Sequence, residues 1–313
     1  MQAYILRRLL AAIPVIFVVL LFTFLLLRLT PGDPARIMAG PLAPEEQIQA
    51  IRESLGLDRP MIVQLGIFLK DIFQGDFGES IASKHPVTEL LGARILPSVS
   101  LTILTELIAV GLGVPLGVLA AWKANSWLDR GAMLFSTLGY SMPLFFLGFL
   151  LILGLAVRLP LFPVAGFVHP GDGVDDFLRS IFLPSLATGL VLMALITRMT
   201  RASMLEVLGE DYVRTARAKG LPETSVLLRH ALRNSALPIL TVIGLGFAGL
   251  LAGVVVTEVV FAIPGIGRLT VTAMLQRDYP VIQAAIILVS GIYLLVNLVV
   301  DLSYALFDPR IRY

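Results

Sequence analysis

Few side chains in this sequence have the type and spacing to do chemistry. The most unusual is Glu106, the single charge in the apolar run 98–121. A carboxylate at the centre of a membrane helix costs roughly 2.5–3.5 kcal/mol on insertion scales, so it calls for a polar partner, a wet cavity or a part in proton transfer. A proton relay would usually show a second such group, and Glu258 and Asp301 fall at the ends of apolar runs, where water is expected to reach them. His85, His169 and His230 are far apart in the chain, two expected on one side of a membrane and one on the other, so they suggest no shared metal site. There is no cysteine, which removes disulfides, thiolate ligands and cysteine nucleophiles. No G-x-x-x-x-G-K-[ST] phosphate loop, G-x-S-x-G nucleophile elbow or H-E-x-x-H zinc motif occurs either. The residues therefore point away from an enzyme, with no catalytic residue, metal or cofactor expected in this chain.

The elements that would position Glu106 are hydrophobic spans. The chain of 313 residues is 57% hydrophobic and 15% charged, with mean hydropathy +0.88. A soluble domain carries about 25% charged residues, so most of this chain belongs in a bilayer. Its net charge of +2 is spread over loops without an aromatic platform, which argues against nucleic-acid binding. Six runs are expected to span: 9–27, 98–121, 131–157, 180–197, 234–257 and 279–300, the third broken by Pro143. A cleaved signal peptide competes for the first run. Its apolar region would be shorter, about 7–15 residues, and no small-x-small site follows here.

Three segments follow from these runs: 1–29 with the first span, a polar insertion at 30–97, and a five-span core at 98–313. The insertion carries two helical stripes. Ile48, Ile51 and Leu55 follow Pro44 and end at Gly56; Ile62, Leu65, Phe68, Leu69, Ile72 and Phe73 lie between Pro60 and Gly75. They predict a small helical cap outside the membrane, because basic residues concentrate elsewhere. Seven of the 36 residues 198–233 are Lys or Arg, and the segments on that side carry about twice the basic density of the short loops opposite. That places 198–233 and both termini in the cytoplasm.

Within 198–233 the pattern reads helix, hinge, helix. Tyr212, Thr215, Ala216 and Lys219 fall at helical spacing, Gly220 closes the turn, and Val226, Leu227 and Ala231 line a second run after Pro222. A short helix with projecting guanidinium groups is a knob that another protein could grip. Glycines supply a second theme. Gly244, Gly246, Gly249 and Gly253 mark the fifth span, and Gly111, Gly113 and Gly117 the second. They allow close helix approach, either in static packing or along a partner interface or pathway.

RTARAKG at 214–220 resembles the "EAA" loop of the membrane subunits of binding-protein-dependent ABC importers. More narrowly, YVRTARAKGL followed by RHALRNSALP resembles the dipeptide, oligopeptide and nickel permease branch. Arg214 and Thr215 stand where the broader pattern has Glu and its first Ala, Ala216 and Gly220 match, and Leu237-Pro238 lies further downstream. These departures belong to the peptide branch and remove any ion pair that the Glu would make. LTPGDPA, LGLDRP, GDFGES, TEVVFAIPGIGRL, RDYP and DPRIRY extend the resemblance over essentially the whole chain.

The resemblance implies an all-α integral membrane protein with six transmembrane helices, a type I ABC importer permease fold and an external helical insertion. It implies half of a translocation pathway for di- or oligopeptides in a prokaryotic inner membrane, with a second permease subunit, two cytoplasmic ATPases that carry ATP and Mg, and an external binding protein. Tyr212, Arg214, Thr215, Ala216, Arg217, Ala218, Lys219 and Gly220 would form the ATPase-coupling element, and Pro264, Gly265 and Gly267 would help shape an outer gate. Glu106, Gly244, Gly246, Gly249 and Gly253 are candidates for the pathway or subunit packing. The alternatives are a proton-coupled secondary carrier, a membrane-embedded scaffold, and a permease of the same branch for nickel chelates or glutathione.

Overall fold

A computed structural model describes residues 2–29, 33–40, 43–54 and 56–307 of the chain. Part of LTPGDPA, Leu55 and DPRIRY lie outside the described residues. Thirteen helices are described: α1 (Gln2–Leu29), α2 (Pro34–Ala39), α3 (Glu45–Ser54), α4 (Met61–Phe73), α5 (Val87–Trp122), α6 (Trp127–Ser141), α7 (Leu144–Leu151), α8 (Val174–Leu208), α9 (Asp211–Ala218), α10 (Glu223–Ser225), α11 (Ala236–Val260), α12 (Ile266–Gln276) and α13 (Tyr279–Phe307). Helix α7 runs on as a π-helical stretch, Ile152–Arg158, and α10 as another, Val226–Leu232. Among the described residues the only strand-like pairing is an isolated bridge between Glu79 and Pro86.

The protein is an all-α membrane protein with the six expected spans. Helices α5, α8 and α13 are each long and apolar enough to cross a bilayer, and α1 contributes the apolar stretch Leu10–Leu26. The third span is a bent pair, because α6 and α7 meet at 106°. Pro143 cannot continue α6, and Met142 before it is held extended at φ −78°, ψ 132°. The fifth span is α11, entered from α10 through a 64° bend. Large apolar side chains stand exposed along these helices, among them Phe17 and Phe22 on α1, Leu134 and Phe135 on α6, Phe149 on α7, Leu245 on α11 and Leu295 on α13. Such surface is stable against lipid and not against water.

Two boundaries differ from the sequence reading. Helix α5 begins at Val87, eleven residues before its apolar run, and α8 continues to Leu208. Residues 198–208, expected as the start of a loop, are therefore helical, and Arg198 and Arg201 project from the end of α8. Charge alone ends an apolar run but does not end a helix.

The chain forms two compact units. One comprises Leu96–Arg268 with the chain from Val296, and its core joins α5, α8 and α11 through Leu101, Leu183, Met193, Ile196 and Val254, with Leu144 and Leu151 of α7 packed against it. Small residues set its spacing. A Cβ on Gly117 would sit 2.5 Å from the Cβ of Thr200, and one on Gly113 would sit 3.0 Å from the Cβ of Ile196, so α5 presses directly on α8. On another side of α8, the hydroxyls of Thr188 and Thr257 share a 2.7 Å hydrogen bond with α11. On a third, Arg201 grips Asp129 of α6 with Nε–Oδ1 2.5 Å and Nη2–Oδ2 2.7 Å. Asp129 is only 3% exposed and also accepts the Asn125 N–H at 2.8 Å.

The other unit comprises Gln2–Ile95 and Leu269–Leu295. Val87, Leu91, Ala273, Val281, Ile282 and Ala285 form its core. Arg28 stacks on the Phe24 ring at 3.6 Å and donates to Gln64 of α4 at 2.9 Å. The buried carboxylate of Asp278 accepts from the Ser80 hydroxyl at 2.5 Å and from the Ile81 N–H at 3.1 Å, which fastens the GDFGES segment to the α12–α13 turn. The stripes on α3 and α4 end where glycine permits left-handed backbone, with Gly56 at φ +61° and Gly75 at φ +78°.

The Arg201 hydrogen bonds, opposed by burial, hold Asp129 below the usual carboxylate range. A carboxylate with a depressed pKa stabilises the fold above its unfolded-state pKa and loses that contribution as pH falls through the folded value. Asp129→Asn is therefore expected to lower the thermal unfolding temperature in lipid nanodiscs at neutral pH. The gap to wild type should close as pH drops below about 4. Unfolding curves from pH 3 to 8 check both the drop and its pH dependence.

Candidate functional site

Two polar assemblies stand out from the apolar scaffold, and both lie within the Leu96–Arg268 unit. The first is α9, which follows α8 after only Gly209 and Glu210. Its faces are sharply different. Val213 and Ala216 are buried against Val207 and Leu208 of α8 and against Val226. Tyr212, Arg214, Thr215, Arg217, Ala218, Lys219 and Gly220 are exposed. Ala216 thus belongs to the glue between α9 and α8 and not to the open face. Val213, which the residue pattern left unremarked, is its buried partner one turn away.

Gly220 ends α9 at φ +77°, with the Leu221 N–H donating to the Ala216 carbonyl and the Gly220 N–H to that of Arg217 at 2.9 Å. That left-handed cap satisfies carbonyls that the helix end would otherwise strand, at a φ that side chains with a Cβ adopt at a cost. Arg217 donates two hydrogen bonds to Glu223, at 2.8 and 3.2 Å, and this contact raises its pKa further. Asn234 donates to the Tyr212 hydroxyl at 2.9 Å, tying α9 to the start of α11. These contacts are solvent-exposed, so they orient side chains more than they stabilise the fold. His230 lies in the π-helical stretch beside α9, and no group of three or more His, Cys, Asp or Glu suited to a metal occurs among the described residues.

The second assembly surrounds Glu258, expected near water and found 0% exposed. The chain turns back after α11 and folds over this carboxylate. Ser98 donates its hydroxyl to Oε1 at 2.5 Å, and the Arg268 N–H donates to Oε2 at 2.8 Å. Ser98 in turn accepts the Ile266 N–H at 2.8 Å, so two first-turn N–H groups of α12 end on Ser98 and Glu258. A carboxylate at a helix N-terminus is well placed against the orphan donors and dipole there. Gly265 and Gly267 are required by this closure, since a Cβ on Gly265 would run into the Glu258 carboxylate and one on Gly267 would come within 2.6 Å of Val255. Pro264 sits in the same turn, half-buried. The three residues assigned to an outer gate thus share one tightly packed turn, held by an acid that the sequence reading put in water. The signal was present, because Glu258 stands ten residues before Arg268 in TEVVFAIPGIGRL, but only the fold supplies Ser98.

The remaining candidates do not converge. Both carboxylate oxygens of Glu106 on α5 are buried and find no hydrogen-bond partner among the described residues. Gly244 packs on Val300 of α13, Gly246 on Leu192 of α8, and Gly249 faces open space. Gly253 lies outside the residues whose surroundings are described.

Comparison with known proteins identifies the scaffold. Residues 113–313 match the family model "Binding-protein-dependent transport system inner membrane component", and residues 1–102 match its N-terminal counterpart. The chain belongs to this family. It is 49% identical over its full length to a probable peptide ABC transporter permease protein of Sinorhizobium fredii, which it covers completely. It is 45% identical, again with complete coverage of both chains, to the glutathione transport system permease protein of Escherichia coli. The fold resembles the inward-facing MetNI methionine ABC transporter with TM-score 0.59 and 15% identity, over 70% of this chain and 96% of that one. The protein is thus a multi-pass inner-membrane permease with the type I importer fold, a component of a transport system that works with a substrate-binding protein and an ATPase.

The packing around Glu258 gives a stability test. Gly265→Ala is expected to lower unfolding stability by about 1–3 kcal/mol through overpacking, whereas Gly249→Ala should stay within about 0.5 kcal/mol of wild type or gain helix propensity. Thermal or denaturant unfolding of the two variants in the same lipid discriminates them.

Proposed function

We propose that this chain is one half of the translocation pathway of an ATP-driven importer for short peptides, and that α9 is the element its ATPase grips. The observation that carries the reading is the two-faced build of α9. Val213 and Ala216 fix it to α8, while Tyr212, Arg214, Thr215, Arg217 and Lys219 remain open beyond the membrane-spanning part of the helix. A partner that pulls on the open face pulls on α8 and, with it, on the transmembrane core. The peptide cargo is suggested by the names of relatives at 44–49% identity. Glutathione, itself a small peptide, is a second candidate because of the relative at 45%.

In this reading α9 and both termini face the cytoplasm, the segment 30–97 faces outward, and a second permease subunit completes the pathway. Two cytoplasmic ATPases bind ATP and Mg, and this chain contributes no catalytic group. An external binding protein delivers the peptide. ATP-driven closure of the ATPases moves α9 and switches the spans between inward- and outward-open arrangements, which requires that the nucleotide state favour one arrangement over the other.

Gly220→Pro tests the role of α9. Proline fixes φ near −65° where the chain needs +77°, and it removes the N–H that caps Arg217. The variant is expected to reach the membrane in normal amount and to lose ATP-dependent peptide uptake in proteoliposomes, while the ATPases keep hydrolysing. Normal uptake by the variant would refute the role of α9. Uptake that survives vanadate but collapses with an uncoupler would replace the ATP-driven mechanism with a proton-driven one.

A further inference from the structure

Asp129 and Arg201 clamp α6 to α8 in the Leu96–Arg268 unit, and the proposed mechanism gives this ion pair no part in transport. It is bidentate, its carboxylate is almost fully buried, and a third donor, the Asn125 N–H, completes the carboxylate. Ser126 caps the same end of α6 by accepting the Asp129 N–H at 3.4 Å. Bidentate guanidinium–carboxylate geometry fixes orientation as well as distance.

Its position gives that rigidity a use. Arg201 stands two turns before the end of α8, and α9 follows that end directly. Around the same level α8 is packed on every other neighbour: Met204 meets Val118 and Ala121 of α5 and Leu227 and Ala231 beyond α10, and the Ser235 hydroxyl donates to the Ser203 carbonyl at 3.2 Å. Helix α6 is different. It faces α8 along its length, with Gly139 over the Leu190 carbonyl at 3.4 Å, yet only Ser136 and Asp129 of α6 are fully buried. Its apolar side chains Leu134, Phe135 and Leu138 point outward. The two helices lie close where Gly139 meets α8, and the polar fork fastens the same contact two turns before the end of α8.

We infer that Asp129 and Arg201 are positioning residues for transport, locking α6 to α8 so that a pull on α9 moves both helices as one lever. Helix α6 leads through the Pro143 bend to α7, which packs on α8 and α11, so the lever reaches the middle of the core. The inference rests on the reading of α9 as the gripped element.

The absence of cysteine permits a direct test. A Cβ on Gly139 would lie 4.0 Å from the Cβ of Ala194, within the range that a disulfide bridges. In the complete transporter, oxidised Gly139→Cys/Ala194→Cys is expected to import peptide at the wild-type rate, because it joins two helices that do not slide. Loss of uptake on oxidation, restored by reductant and absent from either single-cysteine variant, would overturn the lever. The fork itself is tested by Asp129→Asn, Arg201→Lys and the swap Asp129→Arg/Arg201→Asp, read as ATP hydrolysed per peptide imported at matched amounts of assembled complex. The single variants should raise that ratio at least threefold and the swap should bring it partly back. A merely structural pair would lower the amount of complex and leave the ratio unchanged, which would refute the inference. Failure of Gly220→Pro to uncouple would instead sink the reading of α9, independently of whether the disulfide is tolerated.

Discussion

The close approach of neighbouring helices to α8 is the constraint on which the transmembrane core depends. In a bilayer the hydrophobic effect gives helices little reason to associate, because lipid tails solvate leucine as well as another helix does. Association then rests on contacts that lipid cannot make: backbone brought near backbone, and polar groups paired across an interface. Helix α8 has both kinds. Gly113 and Gly117 let α5 lie against Ile196 and Thr200, Gly189 accepts Ile108 in return, and Thr188 bonds to Thr257 on α11. Near its far end the helix carries the bidentate Arg201–Asp129 pair and then turns into α9. A long, continuous and well-clamped α8 thus joins the surface helix α9 directly to the transmembrane core.

Carboxylates are handled in three ways, and the differences are physical. Asp129 has a cation and a backbone donor, so it remains charged while buried. Glu258 has the Ser98 hydroxyl and a first-turn N–H of α12, an environment that welcomes negative charge. Glu106 has no hydrogen-bond donor among the described residues. The first two close turns between helices. The third leaves a polar site within a span whose satisfaction must come from beyond the side chains described, which sets it apart from the structural acids.

Much of this organisation was legible in the sequence. Hydropathy and helical periodicity are local, so the six spans, the helical insertion and the existence of α9 with its Gly220 cap follow from residues a few positions apart. The motif RTARAKG falls on α9 and its cap. What it could not give was the orientation of α9. Ala216 and Val213 face inward because Val207, Leu208 and Val226 happen to lie there, and an alanine in a polar run carries no sign of which face it occupies. The loop boundary at Arg198 failed for a related reason, since a run of charges ends a membrane span without ending the helix.

By itself, then, the sequence determined the class of the protein, the number of spans and the segment that stands outside them, because the bilayer imposes those through composition and length. Only the tertiary structure decided what the ionisable residues do. Ser98 and Glu258 are 160 positions apart, and Asp129 and Arg201 are 72 apart. Whether a carboxylate at the end of a span is solvated or buried depends on donors that arrive from such distances, and chain folding, not local pattern, brings them there.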